Sequence, residues 1–150
     1  MNRLSPHKQR LLFAVSRLYH RMGQMSDKLH GAHGISSADR GLLLMLEQDG
    51  PMTVSQFARN RSVSRQFIQR VANSLVERGL ITAQPNARDR RAPRLTLTEA
   101  GAAAAQAIRA REVPYQRLLH EALSIPEIEE TIERLQRFDS RLDEVLGAQK

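Results

Sequence analysis

Arg88, Arg90, Arg91 and Arg94 place four guanidinium groups within ten positions, with Asp89 the one acid among them. A guanidinium is always charged, and its planar fork of N–H donors fits phosphate oxygens and guanine edges. Directly behind these residues, Leu95 and Leu97 alternate with Thr96 and Thr98, which is the two-residue period of a half-buried strand. The arginines therefore belong at a hairpin tip. A second set lies upstream: Ser64, Arg65, Gln66, Gln69, Arg70 and Asn73. Their spacing puts them on the exposed face of one helix, where Arg can pair with guanine and Gln with adenine through two hydrogen bonds each. Arg61 and Ser62, just before that helix, offer a cation and a hydroxyl to phosphate.

The distribution of charge supports the same chemistry. The chain carries a net charge of +7 over 150 residues. Residues 52–98 hold nine arginines, no lysine and only two acids, Glu77 and Asp89, so this third of the chain carries the whole excess and the remainder is neutral. A segregated basic field marks a polyanion partner; a solubility role would not require such segregation. Cysteine is absent, which excludes a disulfide framework, a thiolate zinc site and a thiol redox sensor. No phosphate-binding glycine loop or His-Glu metal motif occurs, so the residues point to no enzyme and no cofactor. His30 and His33 could hold a metal only with acids from elsewhere in the chain; they read as surface or pocket-lining histidines, with no metal expected. No apolar run spans a bilayer. The basic N-terminus followed by Leu11-Leu12-Phe13-Ala14-Val15 is broken by Arg17, His20 and Arg21 and lacks a cleavage site, so it reads as helix, not signal peptide. A cytoplasmic, nucleoid-associated protein with no membrane partner is expected.

The elements that position these residues follow from local signals. Leu11, Val15, Leu18, Met22, Met25 and Leu29 recur at steps of four and three and predict a long first helix ending near His30-Gly31. Ser36 or Ser37 caps a second helix that stops at Gly50-Pro51. Thr53 with Gln56 has capping-box spacing for a short third helix. After a break at Asn60-Arg61-Ser62, Ser64 caps a helix running to Arg78, with Gly79 as a left-handed stop. Phe67, Ile68, Val71, Leu75 and Val76 are read as its inner face. Arg78, at the helix end, complements the dipole. Strands at Leu80–Ala83 and Arg94–Leu97 flank the arginine-rich tip. Thr98 caps a helix to about Ala122. A last helix carries Ile125, Ile128, Ile132, Leu135, Leu142 and Val145, with Pro126, Glu127, Glu129 and Glu130 in its first turn.

A short helix, a tight turn, an amphipathic helix and a basic hairpin form a winged helix-turn-helix. The stretch from Ile35 to Gly101 resembles the DNA-binding core of the MarR family. The matching residues are Phe57-Ala58, Val63-Ser64-Arg65, Arg70, Leu75, Glu77-Arg78-Gly79-Leu80-Ile81, Asp89-Arg90-Arg91-Ala92 and Leu97-Thr98-Glu99-Ala100-Gly101. Four positions depart from the family's usual pattern. Arg61 and Ser62 stand where a leucine and a glycine are common, so Arg61 either forgoes an apolar contact or reaches out to phosphate. Phe67 replaces a small residue, and Asn73 stands where an Asp is common.

The resemblance implies a mainly α (α+β) fold: an N-terminal dimerisation helix over residues 1–34, a winged core over 35–100 and C-terminal dimerisation helices over 101–150. It implies a homodimer on double-stranded DNA with a near-palindromic operator. The recognition helix would enter a major groove, and the wing (Arg88, Asp89, Arg90, Arg91 and Arg94) would touch the minor groove. Asp89 would orient Arg91 by a salt bridge. Leu11, Val15, Leu18, Ile128, Ile132, Leu135 and Leu142 are the expected dimer contacts. A small-molecule effector is a further implied partner, with Tyr19, His20, Met22 and His33 as candidate pocket residues. The expected activity is ligand-responsive repression. The alternatives are a non-specific architectural DNA-binding protein and a protein–protein adaptor on the same fold.

Overall fold

The computed structural model describes residues 5–147 except Arg88 and Arg90. Helix starts coincide with side chains able to accept the otherwise unpaired first-turn amides. α1 (Pro6–His30) follows Ser5, whose hydroxyl accepts the Lys8 amide. A 3₁₀ turn at Gly31–His33 and the left-handed Gly34 terminate it. α2 (Ser37–Asp49) opens with a reciprocal box: the Ser36 amide donates to Asp39 Oδ2 at 2.9 Å and the Asp39 amide to Ser36 Oγ at 3.1 Å. Thr53 and Gln56 repeat the arrangement, at 2.8 and 3.2 Å, at the start of α3 (Val54–Asn60). Ser64 caps α4 (Arg65–Glu77).

Beyond α4, Gly79 at φ 69° reverses the chain into β2 (Ile81–Gln84), which pairs antiparallel with β3 (Arg94–Leu97). The register sets Ile81 opposite Leu97 and Gln84 opposite Arg94. A third strand, β1 (Met52–Thr53), pairs with the other edge of β3, so the sheet order is β1-β3-β2. Sequence reasoning missed this strand, because two residues between Pro51 and a helix start carry no alternation to detect. α5 (Glu99–Ala122) and α6 (Ile125–Gly147) complete the chain. The mainly α winged helix-turn-helix architecture expected from the sequence is present.

The chain divides into two compact units, Met1–Arg111 and Glu112–Lys150. The first has an almost wholly aliphatic core. Leu42, Leu43 and Leu46 of α2 meet Phe57 and Ala58 of α3, Ile68, Ala72 and Leu75 of α4, Ile81 and Leu95 of the sheet, and Ala105 and Ile108 of α5. Burying each large side chain contributes about 1.5–3 kcal/mol, which holds α4 and the sheet to a common base. The second unit contains the end of α5 and α6, whose Ile125, Ile132, Leu135, Phe138, Leu142 and Val145 are exposed.

Candidate nucleic-acid interface

The turn between α3 and α4 is tight. The Arg61 amide donates to Phe57 O, the Ser62 amide to Arg59 O and the Val63 amide to Ala58 O, at 3.0–3.2 Å. Ser62 has φ 50°, a left-handed conformation that costs an L-residue about 1–2 kcal/mol and that glycine adopts freely. Serine thus takes a left-handed turn position at the place where the resemblance leads one to expect glycine. Arg61 lies across Gly41 of α2: a Cβ there would come within 2.8 Å of its guanidinium nitrogen. The missing apolar contact is thus replaced by a cation laid over a buried glycine.

Within α4, Ile68, Ala72 and Leu75 are buried. Phe67 and Val76, read from the sequence as inner residues, are 39% and 41% exposed. At 100° per residue they lie about a quarter-turn to either side of the buried stripe, whose centre includes Ala72, a residue too small to stand out in the sequence. Arg65, Gln66, Gln69, Arg70 and Asn73 are all exposed, as expected. The Gln69 side-chain amide donates to Asn73 Oδ1 at 2.9 Å. Among the described residues, Arg59, Arg61, Arg65, Arg70 and Arg91 form no ion pair. Their charge therefore faces solvent uncompensated.

Two turns build the wing tip. The Asp89 amide donates to Asn86 O and the Ala92 amide to Asp89 O, while Asn86 Nδ2 reaches Ala92 O at 3.0 Å. Asp89 does hold Arg91, but by a different bond from the expected salt bridge: its Oδ1 accepts the Arg91 backbone amide at 2.9 Å. A carboxylate two residues upstream meets the backbone before it meets a long side chain, so the Arg91 guanidinium forms no ion pair among the described residues. The expected contacts of Arg88 and Arg90 lie outside the described residues. Arg94 remains exposed, yet its guanidinium donates to the Pro51 carbonyl and so links β3 to the entry of β1. Asn86 carried no distinguishing sequence signal beyond its preference for turns.

Arg78 has a larger role than dipole complementation. Its guanidinium donates to Asp39 Oδ2 at 3.1 Å and to Gly34 O at 2.8 Å, which ties the end of α4 to the start of α2. Beside this tie lies a cleft of about 290 Å³ lined by His33, Ile35, Arg78, Leu80, Ala104, Ala107 and Arg111. Of the expected effector-pocket residues, His33 lines the cleft. Tyr19 and Met22 are 75% and 55% exposed on α1, and the His20 ring packs edge-on against Tyr19. Among the described residues no three His, Asp or Glu side chains converge as metal ligands, and no helix is long and apolar enough to cross a membrane.

Comparison with known proteins bears on the fold. A family model described as the MarR family matches residues 33–92, the segment from the turn before α2 to the wing. The Mycobacterium tuberculosis protein Rv2011c is 34% identical over 127 residues, 85% of this chain and 86% of its own length. The Bacillus subtilis HTH-type transcriptional regulator YpoP is 30% identical over 100 residues, covering 67% and 71%. The crystal structure of the Staphylococcus aureus MepR–DNA complex shares the fold at a TM-score of 0.73 and 22% identity, covering 87% of this chain and 96% of that one.

Proposed function

Because this chain belongs to the MarR family of winged helix-turn-helix transcription regulators, and is therefore a DNA-binding regulator and not an enzyme, we propose that it acts as a homodimeric, ligand-responsive repressor that reads a near-palindromic operator. One observation carries the reading of the site: the exposed face of α4 combines two unpaired arginines with three amide side chains. Arginine and glutamine are the residues that discriminate guanine and adenine in the major groove. Arg61, Ser62 and the wing arginines Arg88, Arg90 and Arg91 then hold the duplex through its phosphates, and the wing follows the minor groove. In a two-fold dimer the two copies of α4 meet half-sites about one helical turn, ~10 bp, apart.

Dimerisation is supported by the exposed apolar side chains of α1 and α6. Leu11, Val15, Leu18, Ile132, Leu135 and Leu142 are 40–59% exposed, at the heptad-like spacing of a helix-packing seam. Ile128 is partly exposed on the same face of α6. Ligand response is supported by the cleft beside the Arg78 tie, where two arginines and a histidine surround apolar Ile35, Leu80, Ala104 and Ala107. That lining suits a small anion with an apolar body. Repression follows from occupancy: a dimer seated across two adjacent half-sites in the cytoplasm occludes polymerase.

The test is selection of bound duplexes from a random library, with the hits titrated at two salt concentrations. A near-palindrome bound with a steep salt slope, roughly 0.9 per phosphate neutralised, is expected. Tight binding with no enriched sequence would replace this reading with a non-specific architectural role. No binding at all would favour a protein–protein adaptor.

A further inference from the structure

Gln69 lies near the middle of the exposed face of α4, with Arg65 one turn before it and Asn73 one turn after, about 6 Å away along the axis in each direction. Exposed glutamines sample many rotamers and lose that freedom when they bind. Here the Gln69 amide nitrogen donates to Asn73 Oδ1 at 2.9 Å. This is the side-chain to side-chain hydrogen bond that joins two residues of the reading face; Arg65, Gln66 and Arg70 make none among the described residues.

The chemistry of the pair is asymmetric. The Gln69 carboxamide has two N–H donors and one carbonyl. If the hydrogen directed away from Oε1 is the one given to Asn73, an N–H and a C=O remain side by side. That pattern complements adenine, whose major-groove edge presents N7 as acceptor and N6–H as donor. Guanine presents two acceptors, N7 and O6, and would set its O6 against the Gln69 carbonyl oxygen. Asn73 gives only its oxygen to the pair, so its own amide donors remain for a neighbouring acceptor.

We propose that Gln69 reads one adenine in each half-site and that Asn73 is a positioning residue that holds the Gln69 amide in the reading orientation before DNA arrives. The inference rests on the operator-reading function above. Asn73 stands where an acid is common in the family. An aspartate there would also accept the Gln69 N–H, so the Asn73→Asp variant keeps the acceptor and changes the charge.

The experiment uses the full chain. Duplexes selected by the wild-type protein are compared with copies in which each adenine of the half-site is replaced in turn by 7-deazaadenine, which lacks the N7 acceptor. Wild-type protein, Q69A, N73A and N73D are titrated on each. At one adenine per half-site, wild type is expected to lose about fivefold or more on deaza substitution, the low end of a bidentate base contact, and Q69A to lose nothing further. N73A keeps the same preferred base, but its discrimination falls by about two- to tenfold, the factor for immobilising one long side chain. N73D binds all duplexes more weakly because it adds an anion, yet it discriminates as wild type does. Discrimination by N73A equal to wild type, or a deaza penalty that persists in Q69A at every adenine, overturns the proposal while leaving the operator-reading function intact. Absence of any enriched sequence with wild type removes that function, and this inference with it. The substituted side chains are exposed, and circular dichroism of each variant confirms that α4 is retained.

Discussion

At the scale of single residues, the arginines of the basic segment differ in what they are free to do. Arg91 has its backbone held by Asp89 and its guanidinium without an ion pair among the described residues, whereas Arg94 has committed its guanidinium to the Pro51 carbonyl. Replacing Arg91 by Ala is expected to lower the slope of log affinity against log salt by about one unit, as the loss of one phosphate contact would. Arg94→Ala should change the slope less and instead loosen the β1–β3 edge, which thermal denaturation of the free protein would register. An equal slope change in both variants would show that the Pro51 contact is exchanged for phosphate on binding. Gly101 makes a different kind of demand. A Cβ there would overlap the Leu80 carbonyl oxygen, which already accepts the Thr98 amide, and would crowd Leu97. Because the obstacle is backbone, Gly101→Ala should cost about 3 kcal/mol or more, measurable by urea unfolding. Gly41→Ala meets only the mobile end of Arg61, so its cost should stay below about 1 kcal/mol. The sequence motif around Gly101 was legible; the reason for its glycine was not, since Leu80 lies 21 positions away.

At the scale of elements, caps explain most of what could be read in advance. Ser36–Asp39, Thr53–Gln56 and Ser64 are local pairs within three residues, so their chemistry is written in the sequence where the helix begins. α6 follows the same rule. The Ser124 hydroxyl and amide both donate to the Glu127 carboxylate, and these bonds, the side-chain one foremost, hold its pKa below the ordinary carboxylate range. The sign follows from linkage. A carboxyl whose pKa is lowered on folding contributes stability above its unfolded pKa and loses it as pH falls through the folded pKa. The first turn of α6 is therefore expected to fray at acid pH, below the range where free carboxylates titrate. Carboxyl-carbon NMR should find Glu127 titrating low in the native chain and closer to the ordinary range in Ser124→Ala, where only the backbone donor remains. An unchanged midpoint would remove the side-chain bond from the account. β1 shows the opposite case: two residues become a strand only because β3 is there to pair with them.

For the whole molecule, the apolar side chains exposed along α1 and α6 outnumber what a lone chain needs at its surface. Replacing Leu11 and Leu18 together by Asp should shift sedimentation from dimer to monomer. It should also weaken operator binding by more than tenfold while sparing binding of short single half-sites. Persistence of a dimer of unchanged stability would exclude this face of α1 from the assembly.

The sequence by itself determined the order of helices, the position of α4, the hairpin that follows it and the concentration of positive charge on both. These are properties of neighbours: caps within three residues, periodicity along one helix, and charge, which needs no partner to be counted. Only the tertiary structure decided which of those charges are free. Arg78 is tied to Asp39 and Gly34 across 39 and 44 positions, and Arg94 to Pro51 across 43, while Arg65, Arg70 and Arg91 form no ion pair among the described residues. Such contacts depend on how α2, α4 and the sheet close over a shared aliphatic core. An aliphatic side chain marks a position as buried but does not encode which distant residue it will meet.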